Sequence, residues 1–139
     1  MVDDVLLSKA FAIERGLARA RQEYDKAPAS FESDLSRQDA AILNVQRACQ
    51  AALDMGQHLI HREKLGVPQS EYDVLELLHL GGWLEARLLP VMKAVVGFRH
   101  IAVHDDQALQ LPVTIAIITQ YLGDVVLFSS ANLRKDASL

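Results

Sequence analysis

Leu6, Ala10, Ile13, Leu17, Ala20 and Tyr24 recur at steps of 4, 3, 4, 3 and 4. That spacing stacks side chains on one face of a 3.6-residue turn and cannot line one face of a strand. The same period returns further along. Ile42, Val45, Cys49, Ala52, Gly56 and Leu59 form a second stripe, in a helix expected to reach about His61. Leu84, Leu88, Val91, Val95, Phe98 and Ala102 form another, with Pro90 placed to kink it. Ile118, Tyr121, Val125 and Phe128 form the last, in a helix with Pro112 in its first turn. No segment alternates with a strand's period of two. The pattern therefore predicts an all-α bundle of four long helices and a short one, a four-to-five-helix up-down bundle.

Breakers and caps divide the helices. "KAPASFES" interrupts the period, and Ser36 with Asp39 reads as a capping box for the second helix. "GVPQS" closes that helix, and Ser70 with Asp73 reads as a second box, opening a short helix through Leu80. "GGW" is a turn, and "HDDQALQLP" is a loop. The 139 residues suit a single domain, residues 1–139, with a core small enough that oligomerisation would bury a useful further face.

Composition narrows the function classes. The chain is half hydrophobic and 23% charged, with a net charge of −4. That excludes a broad basic coat for nucleic acid, though not a local basic cleft. The single cysteine, Cys49, permits no disulfide within the chain and fits a reducing cytoplasm. The acidic start "MVDDVLLSKA" does not read as a signal peptide. The apolar stretch from Leu111 to Leu133 contains Pro112, Gln120, Gly123 and Asp124, so it reads as a core helix rather than a membrane span.

The residues that carry chemistry gather in "GFRHIAVHDDQAL". Arg99 and His104 are five residues apart, which turns them about 140° away from each other on a regular helix. They meet only if the helix loosens or ends between them, or if a second chain supplies the other wall. Histidine moves protons near neutral pH, and arginine offers a planar fork of donors to phosphate. Together they suffice for RNA cleavage through the ribose 2′-hydroxyl without a metal. The alternative is a pair that merely compensates Asp105, Asp106 or the helix end. From Leu84 to His104, Arg87, Lys93 and Arg99 outnumber Glu85, which leaves a mildly positive element.

A polar stripe, Arg47, Gln50, Asp54, His58 and His61, runs along the second helix. Asp54, His58 and His61 could ligate a divalent metal, but no further ligand motif supports one, so neither a metal nor a cofactor is expected. The same stripe could line an RNA groove. Cys49 lies on the apolar face and reads as an inert core thiol. Trp83, after two glycines, reads as a packing anchor.

"MKAVVGFRHIAVHDDQAL" resembles the signature of the HEPN superfamily, specifically the HepT-like ribonuclease toxins. "QDAAILNVQRACQAALDMGQHLI" and "LGVPQSEYDVLELL" are similar to that family's second helix and to its next loop and short helix. The resemblance implies a helical homodimer that cuts RNA, without metal, in a cleft shared by two R-x4-H motifs. It implies Arg99 and His104 as the motif residues, and an MNT-type nucleotidyltransferase antitoxin as partner. The chain departs from the pattern twice. His100 stands where asparagine is common, and Asp106 stands where the family commonly has a tyrosine that the partner modifies with AMP. His100, Asp105, Asp106, Arg47 and Asp54 are the further cleft-lining or regulatory candidates. Asp105 and Asp106 would repel phosphate. The competing expectation is a non-catalytic helical module that pairs with a nucleotidyltransferase, Arg99 serving only as a phosphate anchor.

Overall fold

The computed structural model describes residues 3–104 and 111–139. They form a helical bundle: α1 (Asp4–Asp25), α2 (Pro28–Phe31), α3 (Leu35–Glu63), α4 (Glu71–Leu80), α5 (Leu89–His104), α6 (Leu111–Ala116) and α7 (Leu122–Ala137). A π-helical turn, Ile117–Tyr121, joins α6 to α7. Helix α3 is the central element. It packs chiefly on α1, and also on α4, α5 and α7.

The apolar stripes lie inward. Leu6, Ala10, Ile13 and Ala20 are buried on α1, and Val45, Cys49, Ala52 and Leu59 on α3. Leu17, Tyr24 and Ile42 are only half-buried at the rim. Gly16, which the period did not include, sits at a tight contact between α1 and α3. A Cβ there would stand 2.7 Å from the Asn44 carbonyl oxygen and 2.9 Å from the Ala48 Cβ. The continuous run Leu111–Ala137 is long and apolar enough to cross a bilayer by length and composition. Its Ile117, Ile118, Leu122, Val125 and Phe128 are nevertheless buried in the shared core. The π turn buries the adjacent Ile117 and Ile118 together.

Three boundaries differ from the sequence expectation. Helix α3 is capped by Asp34, whose carboxylate accepts the Arg37 N–H, so it begins before Ser36 and Asp39. Helix α5 begins at Leu89 rather than Leu84. Pro90 therefore falls in the first turn, where its missing N–H interrupts no helical bond, and it kinks nothing. "KAPASFES" is not wholly irregular, because Pro28–Phe31 forms one helical turn that buries Phe31. The Ser70 cap does form, with Asp73 N–H donating to its hydroxyl at 3.0 Å.

The two ends of the chain are tied by charge. Asp3 caps α1 by accepting from Val5 and Leu6. Its other oxygen meets His58 Nε2 at 2.7 Å and Arg62 at 3.1 Å, while Arg62 also binds the buried Asp136 at 2.8 Å. The Asp3 backbone N–H donates to Asp136. Above all the His58 contact, helped by the two helix N–H groups and Arg62, pulls the Asp3 carboxyl from 3.8 down to about 2. A carboxylate with a depressed pKa stabilises the fold above its unfolded value and loses that contribution as pH falls through the folded one. We expect wild type and Asp3→Asn to differ in urea midpoint at pH 6, with the difference shrinking below about pH 4 and largely lost by about pH 2. A constant difference across that range would show that the carboxylate charge is not the cause.

Candidate functional site

The site is built where the start of α4 meets the last turns of α5. Ser70 and Asp73 fix the first turn of α4, because Asp73 also accepts the Gln69 N–H at 2.9 Å. That turn presents Glu71 and Tyr72 to α5. On α5, Val95, Val96 and Phe98 are buried, which fixes the helix rotation and holds Arg99 only 17% exposed.

Arg99 is held by two helices. Its Nη1 donates to both Glu71 oxygens, at 2.7 and 2.9 Å, and its Nη2 donates to Gln50 Oε1 on α3. Gln50 in turn donates to Asp54 at 2.8 Å, and Lys9 of α1 pairs with that carboxylate at 3.3 Å. A polar chain thus crosses the bundle from α1 to α5. Charge-assisted, two-point bonds of this kind fix orientation as well as position. Among the described residues they use three of the five guanidinium N–H groups, which leaves donor capacity for an oxyanion. Arg99 also lines a cleft of about 220 Å³ with Leu43, Gln46, Arg47 and Gln50.

His100 lies at the other side of Glu71, its Nε2 3.5 Å from Glu71 Oε2. Its ring stacks on Tyr72. His104 is the last residue of α5. Its side chain, like Asp105 and Asp106, lies outside the described residues. The backbone still settles one point. Helix α5 continues unbroken from Arg99 to His104, so the helix does not end between them. The angular gap of about 140° therefore stands within one chain.

The α3 stripe divides by height. Arg47 and Gln50 join the Arg99 cleft, Asp54 is engaged by Gln50 and Lys9, and His58 belongs to the Asp3 cluster. His61 is exposed. Asp54, His58 and His61 do not converge, and among the described residues no group of three or more His, Cys, Asp or Glu could hold a metal ion. The positive element between Leu84 and His104 is largely compensated. Arg87 pairs with Glu85, Lys93 with Glu76 and Arg99 with Glu71. Trp83 is 6% exposed and covered by Arg62 and Lys135, so it is a packing anchor.

Cys49 is buried beside Gln50, and burial pushes its thiol from 9.0 up to about 12 against the opposing pull of the Arg99 charge. The reactive thiolate is therefore scarce at neutral pH. Iodoacetamide at pH 8 should leave Cys49 intact in the folded protein and label it only after denaturation. Rapid labelling of the native chain would contradict this placement.

Glu71 and Tyr72 were missed in the sequence, whereas Gln50 stood on the polar stripe of the second helix. No period or motif marks the missed pair, because their relevance comes from α4 packing against the end of α5. The only local hint was the Ser70 cap, which fixes where the α4 side chains begin.

Comparison with known proteins gives one consistent set. A family model described as ribonuclease HepT-like matches residues 13–131. The mRNA nuclease HepT of Shewanella oneidensis is 35% identical over 123 residues, covering 88% of this chain and 92% of that protein. The crystal structure of a toxin–antitoxin with AMP-PNP is similar at a TM-score of 0.88 and 34% identity, over 93% of this chain and 97% of that one. The tri-AMPylated Shewanella oneidensis HEPN toxin in complex with MNT antitoxin is similar at a TM-score of 0.87 and 34% identity, over 93% and 96%.

Proposed function

Because the chain belongs to the HepT-like ribonuclease family, we propose that it is an active, metal-independent endoribonuclease, the toxin of a HEPN/MNT toxin–antitoxin pair. It acts as one domain spanning residues 1–139, in the cytoplasm, and as a homodimer. The observation that carries this reading is the fixed Arg99 guanidinium. It is clamped by Glu71 and Gln50, lines an open cleft and lies five residues before His104 on an unbroken helix.

The chemistry follows from those groups. His104 takes the proton from a ribose 2′-hydroxyl, and the 2′-oxygen attacks the adjacent phosphorus. The bond to the 5′-oxygen breaks, and that oxygen leaves with a proton supplied by an imidazolium. Arg99 balances the charge that builds on the phosphoryl oxygens, acting from a position set before substrate arrives.

The dimer resolves the angular gap. On an unbroken α5, positions 99 and 104 of one chain stand about 140° apart around the helix axis, whereas two helix ends meeting across a twofold axis can bring both residue types to one cleft. Exposed apolar side chains beside the site, Leu43 on α3 and Ile101 on α5, support such a contact. His100 and Arg47 line the cleft. Asp105 and Asp106, the two carboxylates that follow His104 in the sequence, lower its attraction for phosphate.

A nucleotidyltransferase antitoxin neutralises the chain. Solved relatives of this fold are complexed with an MNT antitoxin, and one of them is tri-AMPylated. Position 106 carries a carboxylate and no phenol, so modification there is not the route, and binding of the partner or modification elsewhere takes its place. Expression of the chain alone should arrest growth, co-expression with the partner should restore it, and Arg99→Ala should be harmless. Undisturbed growth with the wild-type chain alone would refute the toxin reading.

A further inference from the structure

Tyr72 is 40% exposed, although the other two tyrosines are tucked into the bundle. Tyr24 meets Phe31 edge-on at 5.3 Å, and Tyr121 packs against the core. Tyr72 is ordered all the same. Its ring lies within 15° of parallel to the His100 ring, with centroids 6.2 Å apart. Its hydroxyl lies over Gly97, where a Cβ would come within 3.3 Å of it. The absence of a side chain at Gly97 lets the phenol lie close along α5. An aromatic ring that is held in place yet open to solvent is poor packing and good preparation for a stacking partner, since little side-chain freedom is left to lose.

Its neighbours say which partner. Tyr72 follows Glu71, the residue that clamps Arg99, and it stacks on His100, the residue after Arg99. A part-exposed aromatic ring and a fixed guanidinium are thus linked through Glu71 and His100 at the junction of α4 and α5. A single-stranded nucleotide presents the matching pair, a flat base and an adjoining phosphate. The other prominent aromatic groups do not offer this. Trp83 is only 6% exposed, with the Arg62 and Lys135 cations against its ring, and Phe11, though exposed, lies in a separate α1–α3 groove of about 430 Å³.

We propose that Tyr72, backed by His100, is a nucleobase-stacking subsite for single-stranded RNA whose phosphate is held at Arg99. The inference rests on the ribonuclease reading for the identity of the polymer. It adds a substrate-binding residue outside the R-x4-H motif. Stacking is indifferent to base identity, so the subsite confers a preference for unpaired nucleotides rather than for a sequence.

Binding and cleavage are measured separately. In a His104→Ala background, where binding can be read without cleavage, a short single-stranded RNA is titrated beside the same sugar-phosphate chain lacking its bases. Tyr72→Phe should bind RNA as the Tyr72 protein does. Tyr72→Ala and Tyr72→Leu should bind about tenfold more weakly. Removing the bases should weaken binding to the Tyr72 protein by a similar factor and leave Tyr72→Ala nearly indifferent. With His104 in place, KM for RNA should rise in Tyr72→Ala while kcat changes little. Far-ultraviolet circular dichroism checks that each variant keeps its helices. Equal RNA binding by Tyr72→Ala, by Tyr72→Leu and by the Tyr72 protein would overturn the subsite, as would no RNA binding at all. The ribonuclease reading is judged on a different result: absence of cleavage by the wild-type chain would sink that reading, whatever the binding data show.

Discussion

His104→Ala should yield a folded protein that cleaves RNA about 10²–10⁴-fold more slowly than wild type, the range lost when a positioned general acid/base is removed. His104 ends α5. Alanine has a higher helix propensity than histidine, so α5 should keep its form and thermal unfolding should change little. Arg99→Ala should lose activity as deeply but for another reason. It removes the phosphate ligand, and it also leaves Glu71 and Gln50 without the partner that both now bind. Its melting temperature should therefore fall as well. Arg99→Lys tests the geometry, because a compact ammonium cannot reproduce the planar fork to Glu71 together with the bond to Gln50. It should stay well below wild type despite the retained charge. Single-turnover cleavage rates beside melting curves separate these outcomes. A His104→Ala protein that still cuts at the wild-type rate would remove His104 from the mechanism.

Gly16→Leu should be the most damaging single substitution for the fold. Helices α1 and α3 make the bundle's main helix–helix contact, and at Gly16 the α3 backbone leaves no room for a side chain. Even a Cβ would fall 2.7 Å from the Asn44 carbonyl oxygen, and a backbone atom cannot swing aside as a side-chain tip can. The helices must part. Overpacking a core typically costs about 1–3 kcal/mol and occasionally more. A whole leucine against backbone belongs at or beyond the upper end. The gain from replacing glycine in a helix, about 1 kcal/mol, does not offset that. Gly16→Ala should show the same sign at smaller size. The effect reaches function, because Lys9 on α1 and Asp54 and Gln50 on α3 form the chain that ends on Arg99. Urea unfolding of the purified variants measures the loss. A Gly16→Leu protein as stable as wild type would mean that the two helices are not locked at this point.

The fold was legible because the helical period repeats over most of the chain. Leu6, Ala10, Ile13 and Ala20 fall on the buried face that their spacing assigned. What misled was local chemistry. Ser36 with Asp39 looked like a cap, yet Asp34 is closer to the breaker and takes the role. Leu84 and Leu88 continued the α5 period although the segment around them is a turn, since buried leucines in a turn and in a helix leave the same trace.

The candidate site was half legible. Arg99 and His104 were visible because their chemistry and their neighbours in sequence match a known signature. Glu71 is 28 residues before Arg99, and Gln50 is 49 before it. Nothing in one-dimensional spacing joins residues that distant. Only the packing of α3 and α4 against α5 brings them together. The stripe Arg47, Gln50, Asp54, His58 and His61 was read as one surface, but at more than three turns in length it serves separate neighbours at its two ends. Tyr72 carried no signal at all, because an isolated tyrosine gains meaning here only from the histidine that it stacks on.

The most direct measurement incubates the purified wild-type chain, in excess chelator, with a single-stranded RNA and with a DNA of the same sequence. The 2′-hydroxyl mechanism predicts that the RNA is cut and the DNA is untouched, with Arg99→Ala and His104→Ala inactive on both. Intact RNA, a requirement for added divalent metal, or equal cutting of the DNA would contradict it.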